Sequence, residues 1–173
     1  TCALPISKTA PMIYNVLFLC TGNSCRSSMA ESLLNHLGNG AFQAFSAGSH
    51  PAGKVNPNTL SLLEGLGHDI APLRSKNWDE FAQPGAPEMD FIITTCDNAA
   101  GETCPIWPGH PTTAHWPFPD PAPFQGSEEE TLKIYLGVYR QIEECVQRLV
   151  DLADDDHQKD VLAARLQGIG PEG

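Results

Sequence analysis

Apolar and polar positions alternate between two rhythms along this chain. Ile13 to Leu19 is an apolar run interrupted by Asn15, the pattern of a strand buried on both faces of a parallel sheet. Met29, Ala30, Leu33, Leu34 and Leu37 then recur at helical spacing, and Gly38 is placed to end that helix. Phe42 to Phe45 reads as a short second strand. Asn56-Pro57-Asn58 opens another helix, with Leu60, Leu63 and Leu66 inward and Gly67 at its close. Met89 to Thr95 reads as a third strand. Residues 96 to 126 hold seven prolines, which predicts long loops around a short fourth strand near His115 to Phe118. A loop region that long in a compact domain is commonly functional. The last helix starts after Ser127, whose hydroxyl can cap it, with Glu128, Glu129 and Glu130 where the helix dipole favours anions. Leu132, Tyr135, Tyr139, Ile142, Val146, Leu149 and Ala153 form its apolar stripe. Residues 154 to 173 read as an acidic, solvated and partly frayed tail.

Strands alternating with helices predict an α/β fold, a four-stranded parallel sheet flanked by helices in a single three-layer domain over residues 12 to 153. No repeat and no linker between two cores interrupts it. Ligands in such sheets bind beyond the C-terminal ends of the strands. Cys20, Cys96 and Asp120 each follow a predicted strand there, so three chemistry-bearing residues converge on one sheet edge.

Charge and cysteine usage narrow the class. A net charge of -11 argues against a nucleic-acid groove or an anionic membrane surface as partner. No run approaches the length of a membrane span. Thr1 to Pro11 lacks a basic region followed by a long apolar stretch, so a secretory signal is not expected. These residues read as a leader or extension ahead of a natural start at Met12. Six cysteines would suit a disulfide scaffold, but Cys20 and Cys25 flank a loop that needs free thiols. The expectation is a reducing cytoplasm and redox-active cysteines.

The chemistry begins at Cys20-Thr21-Gly22-Asn23-Ser24-Cys25-Arg26-Ser27. A strand ends at a cysteine, a tight loop follows, and a helix beginning near Ser27 aims its free N–H groups back into the loop. Those amides and the Arg26 fork make a seat for a tetrahedral oxyanion. The same positive field favours a Cys20 thiolate, the nucleophilic form. Gly22 and Asn23 tolerate the backbone angles such a loop needs. Cys25 reads as buried filler, and so does Cys145 on the last helix. Asp120, inside Pro117-Phe118-Pro119-Asp120-Pro121-Ala122-Pro123, sits on a stiff loop able to hold a carboxyl over the site.

Cys-x5-Arg-Ser near the N-terminus, with Asp120-Pro121 far downstream, resembles the low-molecular-weight tyrosine phosphatase family. Thr95-Cys96-Asp97 through Cys104-Pro105, and His115-Trp116 before Asp120-Pro121, resemble the arsenate reductases of that fold which thioredoxin recycles. The likeness spans residues 13 to 153. It implies Cys20 as nucleophile, Ser27 as hydrogen-bond donor to its thiolate, Asn23 as the residue holding the loop shape, and Asp120 as general acid. It further implies a relay: Cys20 attacks arsenate, Cys96 attacks Cys20, and Cys104 attacks Cys96 to carry the disulfide outward. Two electrons are required to take As(V) to As(III), and a dithiol supplies two. No cofactor or metal is expected. The implied partners are arsenate and a thioredoxin-type reductant, with a glutaredoxin as the alternative, acting on a monomer.

Three points stay open in the sequence. A phosphatase would use the same Cys20, Arg26 and Asp120, although Ala122-Pro123 replaces the aromatic pair that many phosphatases carry there. Cys96, Cys104, His110 and His115 are four potential zinc ligands, but they lack the short Cys-x2-4-Cys knuckle. Some relatives bind potassium beside the loop. Asn23, Glu31 and Ser46 occupy matching positions, and Lys76 stands where an aspartate is expected, so its ammonium would replace the ion. The spacer between Cys96 and Cys104 is one residue longer than in the pattern it resembles. The remaining histidines, His36, His50, His68 and His157, are expected at the surface.

Overall fold

The computed structural model describes residues 12–171. The expected leader, with Cys2, lies outside the described residues. Four parallel strands form one sheet in the order β2-β1-β3-β4. They are β1 (Tyr14–Cys20), β2 (Phe42–Gly48), β3 (Phe91–Thr94) and β4 (Thr112–His115). Helices α1 (Arg26–Leu37), α2 (Pro57–Gly65), α3 (Asp97–Gly101), α4 (Glu128–Asp155) and α5 (Lys159–Ile169) surround it, with a short 3-10 turn at Trp78–Phe81.

The unbroken apolar run of β1 has a direct cause. Val16 and Phe18 face the large core under α1 and α4, whereas Leu17 and Leu19 face a second core with Ile92, Trp78, Phe81 and Trp107. A central parallel strand has no solvent side, so its sequence loses the polar alternation. α4 starts with a full capping box: Glu130 N–H donates to the Ser127 hydroxyl, and the Glu130 carboxylate accepts from the Ser127 amide.

Both sheet edges are closed by carboxamides. Asn35 on α1 accepts from the Ala44 amide at 2.8 Å and donates to the Ala44 carbonyl at 3.1 Å. Gln167 on α5 does the same to His115 on β4, at 2.8 and 2.9 Å. Each side-chain amide stands in for a neighbouring peptide and satisfies edge groups that would otherwise be open to another strand.

Several expectations are corrected. The fourth strand lies at Thr112–His115, earlier than His115 to Phe118. Trp116 and Phe118 follow it, their amides donating to the Thr94 and Thr95 carbonyls. On α2 the buried positions are Thr59, Leu62 and Leu63, while Leu66 is exposed. Leu132 is 52% exposed, because the first turns of α4 run past the core. His68 is buried, not on the surface, between the Ser32 hydroxyl at 2.9 Å and the Tyr139 hydroxyl at 2.7 Å. The solvated tail is mostly helix α5, which buries Leu162, Leu166 and Ile169. Those three lie at spacings of four and three, one helical stripe.

Candidate active site

β1 delivers Cys20 to the C-terminal edge of the sheet, and the loop to α1 wraps the space above it. Asn23 takes the left-handed backbone conformation at φ 47°, which asparagine tolerates. The carbonyls of Thr21, Gly22 and Ser24 point away from the cradle and accept from the amides of His50, Ala52 and Asn56. Among the described residues, none of the backbone amides from Thr21 to Ser28 donates to a protein oxygen. The loop therefore faces its N–H groups inward. Gly48 makes this wrapping feasible, since a Cβ there would stand 2.5 Å from the Thr21 carbonyl oxygen.

Arg26 completes the cradle. Its Nη1 donates to the Phe118 carbonyl at 3.0 Å, and its Nη2 lies 3.5 Å from the Asp120 carboxylate. Its Nε is buried without a partner. An orphaned guanidinium donor beside inward-facing amides is what an oxyanion would satisfy. Asp120 is half exposed and is fixed by accepting from the Ala122 amide. The structure thus brings Cys20, Arg26 and Asp120 together, from the first and last parts of the chain.

Cys96 completes the group. It is buried, and with Ala99 it packs against Cys20. Both cysteines are free thiols, as are Cys25, Cys104 and Cys145. The Cys20 thiol beside it holds Cys96 below the ordinary thiol range, with burial opposing and the Thr21 hydroxyl, 3.6 Å from the sulfur, assisting. The neighbouring Cys96 and then burial push Cys20 upward, with the Arg26 charge opposing. Ser27 accepts from the Asn23 side chain at 2.9 Å and makes no hydrogen bond to Cys20 here.

Behind the loop lies a buried polar cluster. Asn23 donates to Ser46 at 3.0 Å, and Ser46 donates to Glu31 at 2.7 Å. The Lys76 amide donates to the Asn23 side-chain oxygen at 3.0 Å, and its Nζ lies 3.8 Å from Glu31 and donates to the Arg74 carbonyl. Burial raises Glu31 above the usual carboxylate range, with Ser46 and Lys76 opposing. Burial lowers Lys76, with Glu31 opposing.

Cys104 is exposed and lies beyond α3. It lines a cavity of about 300 Å3 with Leu19, Ala99, His115 and Gln167. The four residues weighed as zinc ligands are not gathered: no group of three or more metal-ligating side chains forms among the described residues. His115 instead bonds Asp97 at 2.8 Å through Nε2 and Thr94 at 2.7 Å through Nδ1. No motif or periodicity signals this bridge or the Thr21 contacts to Cys96 and Glu102.

Residues 15–161 match the low molecular weight phosphotyrosine protein phosphatase family. A curated arsenate reductase of Bacillus licheniformis is 38% identical over 140 residues, covering 80% of this chain and 96% of that protein. A solved arsenate reductase in its phosphate-binding state is 29% identical with a TM-score of 0.65, covering 80% of this chain and 97% of the other. The thioredoxin-dependent arsenate reductase of Corynebacterium glutamicum is 26% identical with a TM-score of 0.53, covering 81% of this chain and 65% of the other. The chain belongs to the low molecular weight phosphotyrosine protein phosphatase family.

Proposed function

We propose that this family member reduces arsenate to arsenite with three cysteines, and that a thioredoxin-type protein restores it. The observation that carries the reading is the contact between two buried, reduced cysteines beside an oxyanion cradle. Hydrolysis needs one sulfur and a water; a second sulfur against the first is the arrangement for a disulfide. The arsenate reductases among its relatives support the substrate.

In the proposed cycle the arsenate oxygens sit on the loop amides and Arg26. The Cys20 thiolate attacks arsenic, and Asp120 gives its proton to the departing oxygen, which leaves as water. The Cys96 thiolate then attacks the Cys20 sulfur. The sulfur–arsenic bond breaks with its electron pair on arsenic, which leaves as As(III). Cys104 attacks Cys96, Cys20 departs as thiolate, and the Cys96–Cys104 disulfide carries the two-electron oxidation. Reduction of that disulfide by an external dithiol closes the cycle. Thioredoxin dependence of the Corynebacterium glutamicum relative supports that type of reductant. Free thiols suit a reducing cytoplasm. A single chain carries every group the cycle uses, so a monomer suffices, and arsenic detoxification is the role proposed.

Behind the loop, the Lys76 ammonium supplies the charge that a potassium ion would bring to Asn23, Glu31 and Ser46. The test of the relay is Cys104→Ser with arsenate and a thioredoxin system. One turnover per chain is expected. Sustained turnover would replace the three-thiol relay with two thiols resolved by glutathione and a glutaredoxin. A tyrosine phosphatase is the second reading, favoured by the shared cradle and by the family match.

A further inference from the structure

Helix α5 stands mostly outside the family match, which ends at residue 161. It is nonetheless firmly seated. Leu162 and Leu166 are fully buried, the Trp116 indole donates to the Leu166 carbonyl at 2.9 Å, and Arg148 donates to the Ile169 carbonyl at 3.2 Å. Its Gln167 grips both backbone groups of His115. The His115 ring in turn bridges Thr94, the last residue of β3, and Asp97, the first residue of α3. Cys96 is the cap residue of α3, and its sulfur packs against Cys20 and Ala99 with the Thr21 hydroxyl 3.6 Å away. An unbroken run of contacts therefore leads from the C-terminal helix to the second sulfur of the site.

We propose that Gln167 is a positioning residue for Cys96. By fixing His115 it fixes Asp97, and through Asp97 it keeps α3 folded with the Cys96 sulfur against Cys20. α3 alone cannot do this, because five residues make a marginal helix without outside support. The role rests on the thiol reading above. Under it, the same latch has to open before Cys104 can attack Cys96 and displace the Cys20 thiolate. Gln167, His115 and Cys104 line one cavity, so the latch stands where the incoming sulfur travels.

The experiment is alkylation of the fully reduced chain, with the rate at Cys96 followed across pH by peptide mass mapping. It needs no arsenate, so failure of the arsenate reading would leave its outcome intact. In Gln167→Ala the limiting rate at Cys96 is expected to rise about thirtyfold, the scale set by losing two net hydrogen bonds that hold His115. The midpoint of its pH profile is expected to rise as well, because the sulfur is no longer held against the Thr21 hydroxyl and Cys20. Asp97→Ala is expected to do the same, and the double variant to do no more than either. Val146→Ala, in the α4 core away from the latch, lowers global stability and is expected to leave the midpoint in place. An unchanged Gln167→Ala profile overturns the proposal. So do additive effects, or a matching midpoint shift in Val146→Ala.

Discussion

Replacing Lys76 by methionine tests whether its ammonium balances Glu31 behind the Cys20 loop. The two groups are 3.8 Å apart, with side chains only 7% and 8% exposed. At an effective dielectric of about 20, unit charges at that separation attract by roughly 4 kcal/mol. Removing one partner of a buried pair costs about 3–5 kcal/mol, because the other charge is left uncompensated. Methionine keeps the apolar stem, and the backbone amide still reaches Asn23. Urea unfolding near neutral pH is therefore expected to register a loss of about 3–5 kcal/mol. The pH dependence gives the sharper check. Burial already raises Glu31, and Lys76 is one of the groups holding it down. Without the lysine, Glu31 rises further. A carboxyl raised in the folded state favours folding while protonated and loses that contribution as pH climbs through its folded value. The deficit is thus expected to be largest at neutral pH and to shrink as pH falls toward about 5. A loss below about 1 kcal/mol, the size of an exposed pair, or a loss equal at both pH values, would refute the reasoning.

The same cluster predicts that exchanging potassium for sodium at fixed ionic strength leaves the melting temperature of the unmodified chain unchanged, since a tethered charge needs no bound ion; Lys76→Asp is expected to introduce potassium-dependent stabilisation. Aryl phosphate hydrolysis is expected to be weak, to survive in Cys96→Ser and to vanish in Cys20→Ser; robust hydrolysis of phosphotyrosine peptides without arsenate-dependent thiol oxidation would make the chain a phosphatase. Alkylation of Cys96 in the reduced chain is expected to follow a midpoint below the ordinary thiol range, moving up toward that range in Cys20→Ala, where its neighbouring thiol is gone; an unmoved midpoint would mean the two thiols are not coupled.

What could be read from the sequence was what depends on neighbours in the chain. The run from Cys20 to Ser27 carries its own strand end, loop and helix start, and the cap at Ser127 is likewise local. Lys76 was legible as a candidate partner of Glu31, and the structure places its Nζ 3.8 Å away. Contacts made across the fold left no such trace. Gln167 reaching His115 and Asn35 reaching Ala44 have no periodicity and no motif. β4 was displaced because Thr112 to His115 look polar, whereas Trp116 and Phe118 just beyond them alternate like a strand. α5 was hidden behind Asp154, Asp155 and Asp156, although Leu162, Leu166 and Ile169 already carried a helical stripe. The contact of the two thiols was also out of reach, since it depends on Cys96 arriving beside Cys20 from residues far along the chain.

The central claim is that arsenate draws two electrons from thiols of this chain. The direct measurement is a single-turnover reaction of the fully reduced protein with arsenate, counting thiols lost and arsenite formed, with the disulfide mapped by mass spectrometry. The account predicts two thiols lost per arsenite, a Cys96–Cys104 disulfide in the unmodified chain, and a Cys20–Cys96 disulfide in Cys104→Ser. Arsenite formation without a disulfide involving Cys96, or no thiol loss at all in the presence of arsenate, would contradict it.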